Sequence, residues 1–373
     1  MRAFAAILAY FALPLFGAGL VAGCSAVPGE GHDAAIPSLL PFNYSPGPNG
    51  AVNGGVRAIF EDRSGRMWFG SHFEGVCSVD HGRITHFTET DGLSDDQVRS
   101  IQEAADGSIW FDTGVGISSF DGSLVTSHAN RPFVMAAAWE LAPDDLWFKQ
   151  RESHRFSATE QEAGVYRLHD GQLTYCALPL PLEQRTNDGY SVTGFAKGKG
   201  GRIWIATYNA VFGFDGVSLT TIDGARMGLR EGEVLPHVRC VFEDSKGRLW
   251  IGNNGVGVVV IDGEWTAGLS PLLGTGEALL RMGAPLVASS AAEDDRSLQR
   301  VFSIGEDRDG NIWIGTIGGG AWRYDGRELR QFGARDGLTT PSVMAIYRDR
   351  SGSLWLGGDG AFRLEGNRFI RMH

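Results

Sequence analysis

From residue 56 onward the chain alternates short apolar runs with breaks rich in Gly, Asp and Ser. Runs this short, bounded by turn residues, predict strands rather than helices. They recur in a fixed order. An apolar run leads into a Gly- or Asp-rich turn, then a run centred on Trp, a third run, a two-residue turn ending in Gly, and a fourth run. Seven of the ten Trp share this context: Trp68, Trp110, Trp147, Trp204, Trp250, Trp313 and Trp355. Twelve residues before each stands Val56, Val98, Met135, Val192, Val238, Val301 or Val343. Two residues after each of those the side chain is always small: Ala58, Ser100, Ala137, Gly194, Cys240, Ser303 and Ala345.

Four short strands with turns between them predict one antiparallel sheet per copy. Such a sheet cannot cover both of its faces alone, and copies stacked around an axis can. The expected fold is therefore all-β: a seven-bladed β-propeller of four-stranded antiparallel blades. The small residue on each first run suits the crowded centre, which reads Cys240 as core rather than as a reactive thiol.

The copies resemble the two-component regulator propeller repeat, with its V-x-x-I-x-E-D-x-x-G-x-hydrophobic-W-hydrophobic-G-T core and trailing D-G-L. Residues 301–316 (VFSIGEDRDGNIWIGT) and 56–71 (VRAIFEDRSGRMWFGS) carry it best, and D-G-L stands at 91–93 and 336–338. The resemblance covers about residues 42–373. Copies three and four depart most: Lys197 and Gly198 replace Glu-Asp, and Lys149 and Ala206 replace the Gly after the Trp. The resemblance implies an extracytoplasmic ligand-sensing module of the kind found in hybrid histidine kinases, often tied to polysaccharide use. No kinase or receiver segment follows the seventh copy in this sequence, so a histidine kinase in trans is the implied signalling partner. Capture of an oligosaccharide, or docking of another protein, are the other binding roles.

Residues 41–45 resemble a fourth strand preceding copy one, and 367–373 can serve as the fourth strand of copy seven; one of the two is expected to close the ring. Ahead of the propeller, Ala3 to Ala22 run without a charge after Arg2 and end in Val21-Ala22-Gly23-Cys24-Ser25. Small residues before a Cys look like a bacterial lipobox. The resemblance implies a lipoprotein signal peptide over 1–23, lipidation of Cys24, and a linker over 24–41. A signal anchor or ordinary cleavage are the alternatives. The expected location is the bacterial envelope, periplasmic or at the outer membrane, held by lipid alone.

Length variation falls on two connections only, from each Trp run to the third run and from each fourth run to the next copy. Both point to one end of a propeller, where insertions collect on the binding face. The long ones are 149–163, 178–191, 223–237 and 266–300. Candidate ligand-binding residues at that mouth are His72, Glu74, Arg151, His154, Tyr208, Asn209, His237, Asn253 and Asn254, with Lys149, Glu152 and Arg155 beside them. The residue after the Val/Met adds Arg57, Arg99 and Arg239, where other copies carry Ala136, Thr193, Phe302 and Met344. Three Arg near one channel could hold a carboxylate or sulfate bidentately; internal pairing with Glu or Asp of adjacent blades is the other reading.

Composition narrows the role. The 44 acidic and 33 basic side chains give a net charge of −11, against a nucleic-acid partner. The 53 Gly are absorbed by blade turns. There is no nucleophile elbow, HExxH, phosphate-cradling Gly loop or EF-hand loop. The three Cys beyond Cys24 (Cys77, Cys176 and Cys240) form no CxxC pair, so no metal or cofactor is expected. A non-enzymatic binding module is the first reading. The alternative is a lyase resembling the streptogramin-type lyases, which are also seven-bladed propellers, although no motif here carries their catalytic residues over.

Overall fold

The computed structural model describes residues 55–128, 133–149, 162–229, 236–254, 256–262, 298 and 300–372. Seven sheets follow one another along the chain. Blade one is Val56–Glu61, Met67–Ser71, Val76–Asp80 and Arg83–Phe87, each strand antiparallel to the next. Blades two, four, six and seven repeat this order; in blade five the described residues form three strands, Val238–Glu243, Leu249–Asn253 and Gly257–Ile261.

The apolar faces meet between blades. Seven clusters of buried side chains occupy the seven blade interfaces, and each repeat Trp lies in the cluster shared with the following blade. Trp68 packs on Phe111 and Phe120 of blade two; Trp313 of blade six packs edge-on against Phe369 of blade seven. The Gly two residues after the Trp is where the next blade's Val presses in: a Cβ on Gly70 would stand 2.7 Å from Val98 Cγ1.

The Glu-Asp pair of the repeat has two separate tasks. The Asp works within its blade. Asp62 Oδ1 accepts from the Ser64 and Arg66 amides, while its Oδ2 accepts from Trp68 Nε1 at 2.8 Å. Asp244, Asp307 and Asp349 hold Trp250, Trp313 and Trp355 in the same way. The Glu works between blades, accepting an amide from the first turn of the preceding blade. Glu103 takes Arg63 N, Glu306 takes Ser245 N, and Glu61 takes Arg350 N of blade seven. Arg348 stands in the Glu position of blade seven and reverses the polarity, donating to Asp307 O at 3.0 Å.

That Glu61–Arg350 bond also marks where the ring closes. Val56 N donates to Gly358 O at 2.6 Å, and Glu61 N to Tyr347 Oη at 3.0 Å. Arg368–Arg371 is the outer strand of blade seven. Residues 41–45 lie outside the described residues, as do the lipobox and Cys24.

Blade three corrects the expected architecture. Its order is Leu146–Lys149, Gly164–His169, Gln172–Ala177 and then Val134–Met135, which joins the outer edge in parallel. The blade is mixed, and Met135, Ala136 and Ala137 are not its inner strand. Phe133 stacks edge-on against Tyr166, and the Ala136 amide donates to Tyr175 O, so this segment is held at the rim. Trp139 stacks on Trp147 and donates to Ala177 O. These contacts outweigh what an alanine run offers an inner strand, because small side chains bury little apolar surface.

The innermost strand of blade three is therefore Leu146–Lys149. Gln102 of blade two covers its open edge, Nε2 donating to Trp147 O at 2.8 Å and Oε1 accepting from Trp147 N at 3.2 Å. One side-chain amide takes the place of a ladder rung, satisfying backbone groups that would otherwise be buried unpaired.

Candidate functional site

At one end of the blades the described turns after the Trp strands meet the described connections into inner strands. The His72 amide donates to Gly55 O, Gly75 N to Asp96 O, Gly114 N to Gln97 O and Asn254 N to His237 O. Each joins a turn after a Trp strand to a connection leading into an inner strand.

Five inner strands carry a register shift at their second residue, between Val56 and Ala58, Val98 and Ser100, Val192 and Gly194, Val238 and Cys240, and Val301 and Ser303. A bulge re-aims the side chain of its extra residue. Arg57, Arg99, Thr193, Arg239 and Phe302, together with Met344 of blade seven, line one central cavity of about 860 Å³. Ala136 is not among them, since its segment lies at the rim; Lys149 lines the cavity at blade three, its Nζ donating to Thr193 O at 2.6 Å. Among the described residues, Arg57, Arg99, Arg239 and Lys149 thus bring four cations to this mouth, in a chain whose net charge is −11.

The arginines are held in two groups. Arg57 Nη1 lies 2.7 Å from His72 Nδ1. Gln97 Nε2 lies 3.0 Å from the same nitrogen, and Gln97 Oε1 accepts from Arg99 Nε at 2.9 Å. Arg57 is always a donor, so Nδ1 is the acceptor and His72 carries its proton on Nε2. Across the channel, Arg239 donates to Tyr208 Oη at 3.1 Å and lies over the rings of Phe302 (4.4 Å) and Tyr208 (5.4 Å). Its Nε is buried without a hydrogen bond, and among the described residues no carboxylate lies within ion-pair distance of it. Tyr208 meets His237 edge-on at 4.7 Å. Burial, then the Arg239 charge, holds the His237 imidazole below its ordinary range, so it stays neutral beside the guanidinium.

The other candidates separate. Asn253 is fully buried and its side chain donates toward Ile251 O, inside blade five. Asn254 bridges to Arg300, and the Asn209 amide donates to Gly189 O. Glu74 is fixed by its amide to Ser71 Oγ. Arg151, Glu152, His154 and Arg155 lie outside the described residues. Sequence reasoning missed Gln97, which joins two blades; a polar residue directly before the Val-Arg pair was its only signal. The far end of the channel, lined by Arg63, Glu103, Lys197, Glu306, Arg348 and Arg350, mixes both signs. Burial pushes the thiols of Cys77 and Cys240 up to about 12 and that of Cys176 to about 11, the values of inert core cysteines.

Residues 50–73, 234–255, 296–318 and 337–360 match the profile of the two component regulator propeller family. The chain carries two-component regulator propeller repeats. No curated protein sequence matches it. Among solved structures, this repeat propeller is similar to a catalytically inactive virginiamycin B lyase from Staphylococcus aureus with quinupristin (14% identity, 83% of this chain, 94% of that one, TM-score 0.56). It is also similar to YCF48 from Cyanidioschyzon merolae (11%, 88% and 97%, 0.54). The extracellular domain of a hybrid two-component system from B. thetaiotaomicron aligns with a TM-score of 0.42 (15%, 85% and 43%). At these identities the likeness is one of fold, and it transfers no ligand and no catalytic residue. Among the described residues no helix is long and apolar enough to cross a membrane.

Proposed function

We propose that this repeat propeller is a non-enzymatic binding module that takes an anionic small molecule or acidic oligosaccharide at its channel mouth. The observation that carries the reading is the convergence of Arg57, Arg99 and Arg239, each aimed by a bulge, into one cavity. A guanidinium presents a planar fork that matches a carboxylate or sulfate. Arg239, stacked on Phe302, is already oriented and so loses little freedom on binding. Arg57 and Arg99 stand on the opposite wall through His72 and Gln97, which suits a ligand carrying more than one acidic group. In this proposal the module sits outside the cytoplasm, held by lipid on Cys24, and a histidine kinase in trans carries the signal. The repeat class supports the sensing role.

The test is a thermal-shift screen of the purified chain against uronic-acid oligosaccharides, sulfated oligosaccharides, and di- and tricarboxylates, with neutral sugars as controls. A ligand at 100 times its Kd adds about 2.7 kcal/mol, seen as a raised melting point. The reading expects acidic compounds alone to score, and Arg239→Ala to abolish the response. A flat response to every acidic compound sinks it and leaves protein docking.

A further inference from the structure

The channel changes character along its axis, and the register of the inner strands sets the layers. The residue after each Val forms the mouth. At the third residue after the Val stand Ile59, Ile101, Phe195, Val241, Ile304 and Ile346, all lining the same cavity. Six blades thus build an apolar waist beneath a cationic mouth. At the fifth residue the lining turns charged again, with Glu103, Lys197, Glu306 and Arg348. From the mouth to that layer is a span of about 13 Å along a strand. Blade three adds room on one side. It lacks the standard inner strand, and Trp147, alone of the seven repeat Trp, lines the cavity. Every residue of the neighbouring strand Val192–Lys197 lines it too, and each keeps some exposure. Among the lining atoms, Ser100 Oγ, Thr193 Oγ1 and Arg239 Nε are buried without a hydrogen bond. Buried polar atoms without partners, in the wall of a cavity, point to a ligand that supplies them.

We propose that the ligand is an anionic amphiphile, with its acidic head at the mouth and an apolar body in the waist. The inference rests on the reading of the mouth as an anion site and narrows it. A sugar ring would carry hydroxyl groups into a layer whose six side chains offer them no hydrogen bond, and burying a polar group unpaired is costly. An alkyl chain or hydrocarbon ring leaves no such debt and gains by leaving water. The mouth is itself divided in the same sense. Phe302 and Met344, on blades six and seven, stand between Arg239 and Arg57 in blade order, and Phe302 packs its ring under the Arg239 guanidinium at 4.4 Å. An apolar body that starts at this wall continues onto Ile304 and Ile346 of the same two strands. The space beside Trp147 and Phe195 takes the bulk of the body, because blade three sends no inner strand into it.

The experiment is calorimetric titration of the full chain with malonate and its ethyl, butyl and hexyl derivatives, which keep one diacid head and lengthen only the apolar body. Affinity is expected to rise along the series, by at least about tenfold from ethyl to hexyl, since a fully buried methylene is worth about fourfold. The heat-capacity change should grow more negative in step. Ile346→Thr, which puts a hydroxyl into the waist at a half-buried position, should flatten the series, as should Phe195→Ala. Melting of each variant without ligand shows whether it is folded, and Ile346→Thr decides the case if Phe195→Ala is not. Equal affinity for all four compounds overturns the amphiphile and leaves the anion site standing. A rising series that both folded variants leave intact places the body elsewhere and overturns it too. Failure of every compound, malonate included, removes the anion site and this inference with it.

Discussion

Glu243 Oε2 accepts a hydrogen bond from Trp204 Nε1 at 2.6 Å, across the boundary between blades five and four. In blades one, five, six and seven the equivalent indole is held by an Asp of its own blade. Blade four has Gly198 there, and the carboxylate that caps its first turn from the next blade has moved in to take the indole as well. Glu243 Oε1 still accepts Lys199 N at 3.2 Å. A Cβ on Gly198 would lie 2.3 Å from Glu243 Oε2, so the local Asp and the borrowed Glu exclude each other. Glu243→Ala is expected to cost about 1–3 kcal/mol through the buried indole N–H it strands. Gly198→Asp alone is also expected to destabilise. The double variant should recover part of the loss, and denaturant unfolding of all four proteins measures the coupling. Strictly additive losses would refute the exchange.

Gln102 stands in for a missing strand. Gln102→Leu keeps the volume and removes both bonds to the Trp147 backbone, so a loss of about 1–3 kcal/mol is expected. Hydrogen exchange localises the effect: the Trp147 amide should lose protection while the amides of blade six keep theirs. Uniform loss around the ring would mean the contact is not local.

Ring closure rests on Gly357, whose added Cβ would lie 2.7 Å from Val56 O and 2.8 Å from Val56 Cγ1. Backbone cannot yield as a side-chain end can. Gly357→Ala should lower the melting temperature more than Gly333→Ala, which meets nothing within 4 Å. Equal effects would argue against the tight junction of blades seven and one.

Acid stability should fall in two windows. Burial raises the Asp244 carboxyl, but hydrogen bonds from Trp250 and Arg248 outweigh it and the net shift is downward. Its contribution is complete above the ordinary Asp value, about 3.9, and is lost as pH falls through the lower folded value. His237 is also depressed, by burial and by Arg239. Here the unfolded chain binds the proton first, so stability declines as pH drops below about 6.5. Urea midpoints from pH 8 to 3 should show both declines. His237→Gln should remove the upper one only, and Asp244→Asn should flatten the lower.

Much of this was legible beforehand, and the reasons are local. The constant spacing from Val56 to Trp68, kept through Val343 and Trp355, reflects a hairpin whose turn is built by Asp62 and Gly65 (φ 86°). That Arg57, Arg99 and Arg239 line one cavity is legible in the sequence because the bulge keeps its place relative to that Val. Blade three departs because Met135 satisfies the spacing, while the position of its segment is decided by Phe133 on Tyr166 and Tyr175 and by the Trp139 bond to Ala177 O, all more than 30 residues away in sequence. Gln102, Gln97 and Glu243 act across blade boundaries, and no single copy contains their partners. The Asp145–His169 contact likewise joins two turns that only the folded sheet brings together.

The central claim is that the channel mouth is an anion site, and a crystal of the protein soaked in selenate tests it most directly. The selenium anomalous signal marks a divalent oxyanion without any assumption about the natural ligand. The account predicts a peak inside the cavity, within hydrogen-bonding distance of the Arg239 guanidinium. An empty mouth, with selenate bound only on outer turns such as that of Arg308, would contradict it.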